Sequence, residues 1–378
     1  MTLIEADHIG SGATGRSLGV LSTPAAGVGF GDPDELVGGR PRKAWHRDRL
    51  AAQRYLLRLI DETEVDCQAG KGLVLLAPDK KNLETLAATV EARNEYYGTS
   101  DYAVPADRLD EEAGGNAADH FAGALVMADA HTVQPAMMMT GLATLARRLG
   151  VRICERTEVV SFERGASGFR VMTNAGDTIA HNVLLATGGY TPSIDPFLRQ
   201  RTLGLPSIAC ASEELPEDEV RDLFRSGRAL QVNRFRSYSC RPTPDSRRII
   251  LGGPVGQTPG TPAENARHLH DWFTRIFPDL AGIDFTHCWT GLIAATRDGR
   301  AHEGAHDGAW YAVGASGIVS CADAGRRMAQ HILHQDDAAA TGDTRFPRWP
   351  LRDRETLLWR GIEWSARLLD LVGRSRLR

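Results

Sequence analysis

The stretch TLIEADHIGSGATGRS, residues 2–17, is the clearest indication of the fold in this sequence. Thr2 to Glu5 form a short apolar strand that ends in an acid, and Ile9 to Ser17 form a loop rich in glycine and hydroxyl groups. In dinucleotide-binding folds an acid at this place accepts hydrogen bonds from ribose hydroxyls, and small loop residues let backbone N–H groups approach a pyrophosphate. The pattern therefore predicts the second strand of such a fold, although an ordinary strand-loop-helix turn has the same local signature.

Composition limits the classes of protein to which the chain can belong. Its 378 residues, 42% hydrophobic and 24% charged, predict a large core and two domains. A net charge of -4 offers no electrostatic case for nucleic acid as a partner. The sequence has no run long enough for a membrane span and no secretory signal, so we expect a cytoplasmic protein. The six cysteines lack C-x-x-C spacing, which predicts reduced thiols and no metal site.

Hydrophobic periodicity and turn residues predict a succession of helices and strands. Helices are expected at 45–63, 80–97, 134–149, 264–277, 316–333 and 353–372. Strands are expected at 72–77, 122–128, 151–154, 159–164, 169–173, 178–186, 285–295 and 309–313, with further short strands within 204–256. The apolar run NVLLATGGY, which begins at Asn182, is typical of a strand buried on both faces of a parallel sheet.

Two further glycine turns follow predicted strands. Residues 184–189 read LLATGG, and residues 314–319 read GASGIV and open a helix. Glycines after a strand permit close approach of a diphosphate, and the N–H groups that begin a helix stabilise a negatively charged ligand edge. Taken alone, each of these turns is also common in proteins that bind no such ligand.

Together and in this order, the segments resemble the flavoproteins of the D-amino acid oxidase superfamily, which includes glycine, sarcosine and gamma-glutamylputrescine oxidases. The likeness extends over nearly the whole chain, through IEADHIGSGATGRSLG, HTVQPAMMMTGLATLARRLGVRI, LLATGGYTP, SYSCRPTPDSRRIILGG, WTGLIAATRDGRAHEG and AVGASGIVSCADAG. It implies an α/β fold, α+β overall, with a Rossmann-like FAD-binding domain and an antiparallel-sheet substrate domain. We expect residues 1–71, 129–203 and 286–378 in the first domain and residues 72–128 and 204–285 in the second.

The resemblance also implies which residues hold FAD. Glu5 would bind the adenosine ribose, and Val159 would contact the adenine through its backbone. The loop from Ser11 to Ser17 would wrap the pyrophosphate and flavin, and the turn at 314–319 would lie at the isoalloxazine. The predicted cofactor residues are Glu5, Ser11, Gly12, Thr14, Gly15, Arg16, Ser17, Val159, Thr187, Gly188, Gly314, Ser316, Gly317, Ile318 and Val319.

Three features depart from the family's pattern. The G-x-G-x-x-G turn, about twenty residues before the acid, would precede Met1, so we expect an N-terminally shortened, incomplete Rossmann-like domain with weakened FAD binding. Adding a first strand and turn of roughly thirty residues is expected to raise flavin occupancy. Ile293 stands where relatives have an arginine that clamps the substrate carboxylate, a role that Arg241 could take. Gly291 replaces a flavin-tethering cysteine, and the opening loop lacks the alternative histidine at 17–19, so FAD is expected to be noncovalent.

The function implied by the resemblance is an FAD-dependent oxidoreductase that oxidises a C–N bond of an amine or amino acid derivative by hydride transfer to the flavin. The donors would be CH–NH or CH–NH2 groups, and the electron acceptor O2 or a quinone or protein. Because such chemistry rests on positioning, no side-chain base need appear, and the polar candidates Tyr238, Arg241 and His302 have structural roles as alternatives. The other function class is a shortened, non-catalytic paralogue with weak or no FAD binding.

Overall fold

The structure is a computed structural model that describes residues 1–23, 34–37, 40–191, 194–232, 237–253, 260–315, 317–334 and 346–350. Ser316 and the helix predicted at 353–372 lie outside the described residues.

Within these ranges the predicted helices and strands are found, with the exception of the strand at 178–186. The helices are α1 (Arg42–Glu62), α2 (Lys80–Tyr97), α3 (Ala117–His120), α4 (Pro135–Arg148), α5 (Pro196–Arg199), α6 (Glu217–Leu223), α7 (Pro262–Ile276) and α8 (Ile318–His334). Short 3-10 helices lie at Ala106–Glu111, Gly188–Tyr190 and Pro278–Leu280. The strands are β1 (Thr2–Ile4), β2 (Val20–Leu21), β3 (Leu36–Val37), β4 (Arg40–Pro41), β5 (Gly70–Ala77), β6 (Tyr102–Pro105), β7 (Gly123–Thr132), β8 (Arg152–Cys154), β9 (Val159–Gly165), β10 (Gly168–Thr173), β11 (Gly176–Ala180), β12 (Leu184–Leu185), β13 (Thr202–Ser212), β14 (Ala229–Val232), β15 (Ser239–Pro242), β16 (Ile249–Gly252), β17 (Phe285–Thr296), β18 (His302–His306) and β19 (Ala309–Val313).

A nine-stranded sheet is the largest layer of the described part of the chain. Its strands follow the order β17-β13-β16-β15-β14-β5-β7-β2, and β6 also pairs with β7. The sheet predicted as antiparallel is mixed, because β14 and β5 run parallel while the other neighbours are antiparallel. Its core face carries Cys210 and Leu251, which pack with Phe273 of α7 in the largest hydrophobic cluster. The opposite side, the loop face, is covered at β5 and β7 by Leu86 of α2.

Two parallel strand pairs form a second part of the fold. β1 pairs with β8, and β12 pairs with β19, which is also antiparallel to β18. β9, β10 and β11 form a separate antiparallel sheet. Ile4 of β1 and Val183, which precedes β12, both pack on the cluster of Phe169, Val171 and Ala309. The two parallel pairs therefore share one hydrophobic core.

The strand predicted at 178–186 is wrong in its extent and in its burial. β11 ends at Ala180, and residues 181–183 lead to β12. Leu184 is 40% exposed, whereas Leu185 is buried, so β12 is not buried on both faces. The physical reason is a change of partner: β11 pairs with β10, β12 pairs with β19, and the apolar run spans the crossing between them.

Helices α1, α4 and α8 share one core. Leu56 and Ile60 of α1, Met138 of α4, and Ile318 and Val319 at the start of α8 belong to the same cluster of buried side chains. This packing fixes the position at which α8 begins. None of the described helices is long and apolar enough to cross a membrane.

The domain boundaries remain a prediction. β17, most of which the sequence division assigns to the FAD-binding part, pairs along its length with β13 in the nine-stranded sheet. Residues 286–296 thus share a sheet with residues that the same division assigns mainly to the substrate part.

Candidate functional site

Glu5 lies at the carboxyl end of β1, where its carboxylate accepts a hydrogen bond from the backbone N–H of Asp7 at 3.0 Å. Its backbone carbonyl accepts from Thr157 N at 2.8 Å. Val159 packs in the same cluster as Ile4. The structure therefore brings Glu5 and Val159, predicted to hold the two halves of an adenosine, to one end of the parallel strands.

The loop that follows β1 folds tightly upon itself. A Cβ at Gly15 would lie 2.1 Å from the carbonyl oxygen of Gly10, so only glycine fits at this position. Ser11 Oγ accepts from His8 N at 3.1 Å, and Ser17 Oγ donates to Thr14 O at 2.9 Å. The two serine hydroxyls thus close turns within the loop, which keeps its backbone compact enough for close approach to a phosphate.

The loop is fastened to β17 by a reciprocal pair of hydrogen bonds. Arg16 Nη1 donates to Thr290 O at 2.9 Å, and Trp289 Nε1 donates to Arg16 O at 2.8 Å. A Cβ at Gly291 would meet Arg16 Cβ at an ordinary contact of 3.5 Å. Arg16 therefore holds the loop in position through its contacts with β17.

The glycine turn after β12 lies beside the same loop. Tyr190 Cε2 is 4.0 Å from the position of a Cβ at Gly12, and Tyr190 Oη accepts a hydrogen bond from Leu292 N at 3.1 Å. Thr187 Oγ1 is hydrogen-bonded to Thr191 Oγ1 at 2.8 Å, and Gly188 has φ 57°. Tyr190 thus places this glycine turn beside the loop after β1, and the roles of Thr187 and Gly188 toward a ligand remain a prediction.

The third turn joins β19 to α8. Gly314 has φ 75°, and a Cβ there would lie 2.4 Å from Thr296 Cγ2, so the turn requires glycine. Gly317 also has positive φ, at 88°, and its carbonyl accepts the helical hydrogen bond from Cys321 N at 3.1 Å. The first N–H groups of a helix have no partner within the helix, and the helix dipole makes this end attractive to an anion. Ile318 and Val319 are buried, so these two residues would meet a ligand through their backbone.

Arg241 lies on the loop face of β15, and its side chain is held by backbone carbonyls. Nε donates to Leu18 O at 2.6 Å and Nη1 to Pro242 O at 3.2 Å. Leu18 itself sits over Gly252 of the neighbouring strand, where a Cβ would be 2.4 Å from Leu18 Cδ1. Arg241 is 4% exposed, and burial lowers its pKa to about 10. Among the described residues no carboxylate pairs with this guanidinium, and its Nη2 has no hydrogen-bond partner there.

The other two polar candidates do not lie with Arg241. Tyr238 stacks on Trp272 at a centroid distance of 4.2 Å and bonds His268 Nε2 through its hydroxyl at 3.1 Å, both on the core face of the sheet. His302 is buried, bonds Asp298 at 3.0 Å and stacks on Phe346 at 3.9 Å. These contacts give Tyr238 and His302 structural roles.

Sequence reasoning did not single out Trp289 and Tyr190. Both side chains hold a predicted cofactor turn against β17. Each is an aromatic residue with a polar tip next to a glycine motif, in WTG and in GGY. Since Tyr and Trp find hydrogen-bond partners when they are packed, this adjacency was the available signal.

Small-residue turns gathered at the carboxyl ends of parallel strands are the way in which α/β proteins bind dinucleotides. The site therefore belongs to the dinucleotide-binding class. Residues 1–331 match the model of the DAO family, described as FAD dependent oxidoreductase, and the chain belongs to this family. The resemblance read from the sequence is thereby confirmed.

Individual relatives agree with this placement. The chain is 24% identical over 367 residues to gamma-glutamylputrescine oxidoreductase of Escherichia coli (strain K12), covering 94% of this chain and 83% of the relative. The crystal structure of glycine oxidase from Geobacillus kaustophilus aligns with a TM-score of 0.68 at 19% identity, covering 92% of this chain and 89% of that one. L-proline dehydrogenase from P. horikoshii aligns with a TM-score of 0.68 at 20% identity, covering 92% and 88%.

FAD is the cofactor of the family, and the turns fit it. An added Cβ at Gly15 or Gly314 would collide with neighbouring atoms of the protein, so both positions require glycine and the backbone there carries no side chain. The tethering positions hold Gly291 and residues 17–19, which have no thiol or imidazole. The cofactor is therefore held noncovalently.

Proposed function

We propose that this protein oxidises a C–N bond of an amine or amino acid derivative, with a CH–NH or CH–NH2 group as the hydride donor. The support comes from the family and from relatives whose names specify gamma-glutamylputrescine, glycine and L-proline as substrates. Bound FAD supplies the hydride acceptor in this chemistry. The product is an imine, which water hydrolyses to a carbonyl compound and ammonia or an amine.

The chain's own residues hold the cofactor through the three turns. In the proposal Glu5 accepts hydrogen bonds from the ribose hydroxyls, and the loop from Ser11 to Ser17 provides backbone N–H groups for the pyrophosphate. Val159 contacts the adenine, Thr187 and Gly188 flank the dinucleotide, and the start of α8 stabilises negative charge at the flavin ring.

The burial and hydrogen bonds of Arg241 are the observation that supports the proposed class of substrate. Among the residues that the structure describes, only carbonyl groups hold this buried guanidinium, and such a group attracts an anion because burying an unpaired charge is costly. Its place beside Leu18 sets it under the loop proposed to wrap the flavin. Ile293, which stands at the family's usual carboxylate-clamping position, shares the loop face with Arg241 by the alternation of β17 and the pairing of β13, β16 and β15. We therefore infer a substrate with a carboxylate or similar anion that meets Arg241 Nη2.

The role of Arg241 is binding and orientation. A guanidinium that holds the anionic group fixes the distance and direction of the reacting C–H, and positioning of this kind can account for much of the rate. In this proposal no side chain has to remove a proton in the hydride-transfer step.

The test compares amino acids with the amines obtained by their decarboxylation. Purified protein is mixed anaerobically with each compound, and bleaching of the flavin absorbance is followed by stopped flow. Arg241→Met should lower the efficiency for the carboxylate-bearing member about 10- to 150-fold, from about 1.5–3 kcal/mol for a charged hydrogen bond at 1.4 kcal/mol per factor of ten. The decarboxylated member should change little, and Arg241→Lys should keep part of the effect.

If Arg241→Met lowered the efficiency equally for both members of each pair, Arg241 would have no role in substrate recognition. Flavin that is bound but not bleached by any amine or amino acid would overturn the proposed reaction and favour the non-catalytic alternative. Repeating the assay in air and with a quinone would identify the electron acceptor, since oxidase and dehydrogenase names both occur among the relatives.

A further inference from the structure

Two cysteines face each other across the longest strand pair of the sheet. Cys210 of β13 and Cys288 of β17 are direct partners in the antiparallel register. Their sulfur atoms are 2.8 Å apart. Both belong to the core face, where Cys288 packs at the margin of the cluster that contains Cys210.

The two thiols differ in accessibility and in acidity. Cys210 is 0% exposed, whereas Cys288 is only partly buried, so a small reagent meets Cys288 first. The Cys210 thiol donates its hydrogen bond to Cys288 Sγ. This bond lowers the pKa of Cys288 and raises that of Cys210, whose burial raises it further. Because the thiolate is the reactive form, Cys288 is the nucleophile of the pair.

We propose that Cys210 and Cys288 form a redox modification site, in which hydrogen peroxide converts the dithiol to a reversible disulfide. In the first step Cys288 Sγ attacks one peroxide oxygen, the O–O bond breaks, and the thiol proton leaves with the other oxygen as water. In the second step Cys210 Sγ attacks the sulfenic sulfur, the S–O bond breaks, and the departing hydroxide takes the Cys210 thiol proton and leaves as a second water. Two thiols are oxidised by two electrons and one peroxide is reduced to two waters.

The backbone geometry suits this bond. Directly paired residues of an antiparallel ladder have Cα atoms about 4.5–5.5 Å apart, which lies within the range of about 4.4–6.8 Å that disulfides require. The strands need no change of register, and the sulfurs approach by less than about 1 Å to reach the bond length of about 2.05 Å.

Cys240 supplies a matched control on the same face. Leu251 of β16 pairs with both Cys210 and Cys240, so Cys240 lies two strands away from Cys210. Two strand spacings amount to about 9.5 Å, too far for a disulfide. Cys240 is buried, as Cys210 is, so the two differ mainly in the presence of a partner.

The test is titration of the purified, flavin-loaded protein with hydrogen peroxide, followed by denaturing alkylation and non-reducing peptide mass spectrometry. We expect the free thiols to fall by two from the six of the sequence, a linked peptide joining Cys210 to Cys288, and full reversal by dithiothreitol. In Cys210→Ala the linked peptide should vanish and Cys288 should proceed to the sulfinic acid. Cys240→Ala should behave as the unchanged protein.

Oxidation confined to the exposed Cys321, a linkage between any other pair, or a Cys288 that resists peroxide in the folded protein would each overturn the proposal. The wild-type protein alone decides all three outcomes, so the inference stays testable if Cys210→Ala folds poorly. It does not depend on the proposed amine oxidation.

Discussion

Replacing Asp323 by alanine is expected to loosen α8 from α1 and to destabilise the protein by about 3 kcal/mol. Asp323 is 1% exposed. Its carboxylate accepts from Arg49 Nη2 of α1 at 3.3 Å, from Arg326 Nη2 at 3.0 Å, and from Arg327 at close range. One buried carboxylate therefore joins the helix that begins at a predicted flavin turn to the helix packed beneath it.

The expected loss of stability depends on which arginines keep an ion-pair partner after Asp323 is replaced. Removing one partner of a buried ion pair costs about 3–5 kcal/mol. Arg327 keeps Glu303, to which Nε donates at 2.9 Å and Nη2 at 2.5 Å, and the Arg326 side chain is 37% exposed. Both facts place the loss at the lower end of the range. Arg326→Ala is the matched control, because an exposed ion pair contributes only about 0–1 kcal/mol.

The assay is urea unfolding of the wild-type protein and both variants, followed by far-UV circular dichroism. The free energy of unfolding comes from the transition midpoint and slope. Asp323→Ala should lower the midpoint and leave the slope unchanged, while Arg326→Ala should stay near the wild type. A loss below about 1 kcal/mol for Asp323→Ala, the value of a surface pair, would refute the role assigned to burial.

Two substitutions at the cofactor turns complete the predictions. Glu5→Ala should raise the dissociation constant of FAD about 10- to 150-fold per lost charged hydrogen bond. The substitution of the exposed Asp7 by alanine should leave this constant unchanged. Equal FAD affinity in the two variants, measured by flavin fluorescence, would place the ribose elsewhere. Gly314→Ala should lower the stability by about 1–3 kcal/mol, because its Cβ would lie 2.4 Å from Thr296 Cγ2. By contrast, Gly325→Ala, in open space within α8, should raise it by about 0.5–1 kcal/mol, and equal melting temperatures for the two would contradict this reasoning.

Elements with local signals could be predicted from the sequence. α2 begins and ends as expected, since Asp79 caps its first turn by accepting from Asn82 N at 2.7 Å and Gly98 ends it at φ 63°. α4 begins with Pro135 in its first turn, as the sequence predicted. The prediction of one strand at 178–186 was wrong because residues distant in the sequence determine which strand a segment pairs with. A continuous apolar run does not reveal that β11 and β12 belong to different sheets.

The turns of the candidate site have local signals as well. Gly15 and Gly314 lie in tight turns that require glycine, and Glu5 follows β1, while the roles of these residues toward FAD remain predictions. The roles of the polar candidates depended on contacts with residues that are distant in the sequence. His302, for example, is held by Phe346, which is distant in the sequence.

Alternation along single strands separates contacts with the predicted cofactor turns from contacts with the core in this fold. On β17, Trp289 and Gly291 meet the loop after β1, while Cys288 lies with the core face. A thiol at 288 is therefore directed away from the flavin turns although it is three residues from the family's tethering position at 291. The same alternation on β15 separates Arg241, beside Leu18, from Tyr238, stacked on Trp272. In the proposed function the substrate lies at the loop face, where Arg241 lies, whereas Tyr238 is held on the core face of the same sheet.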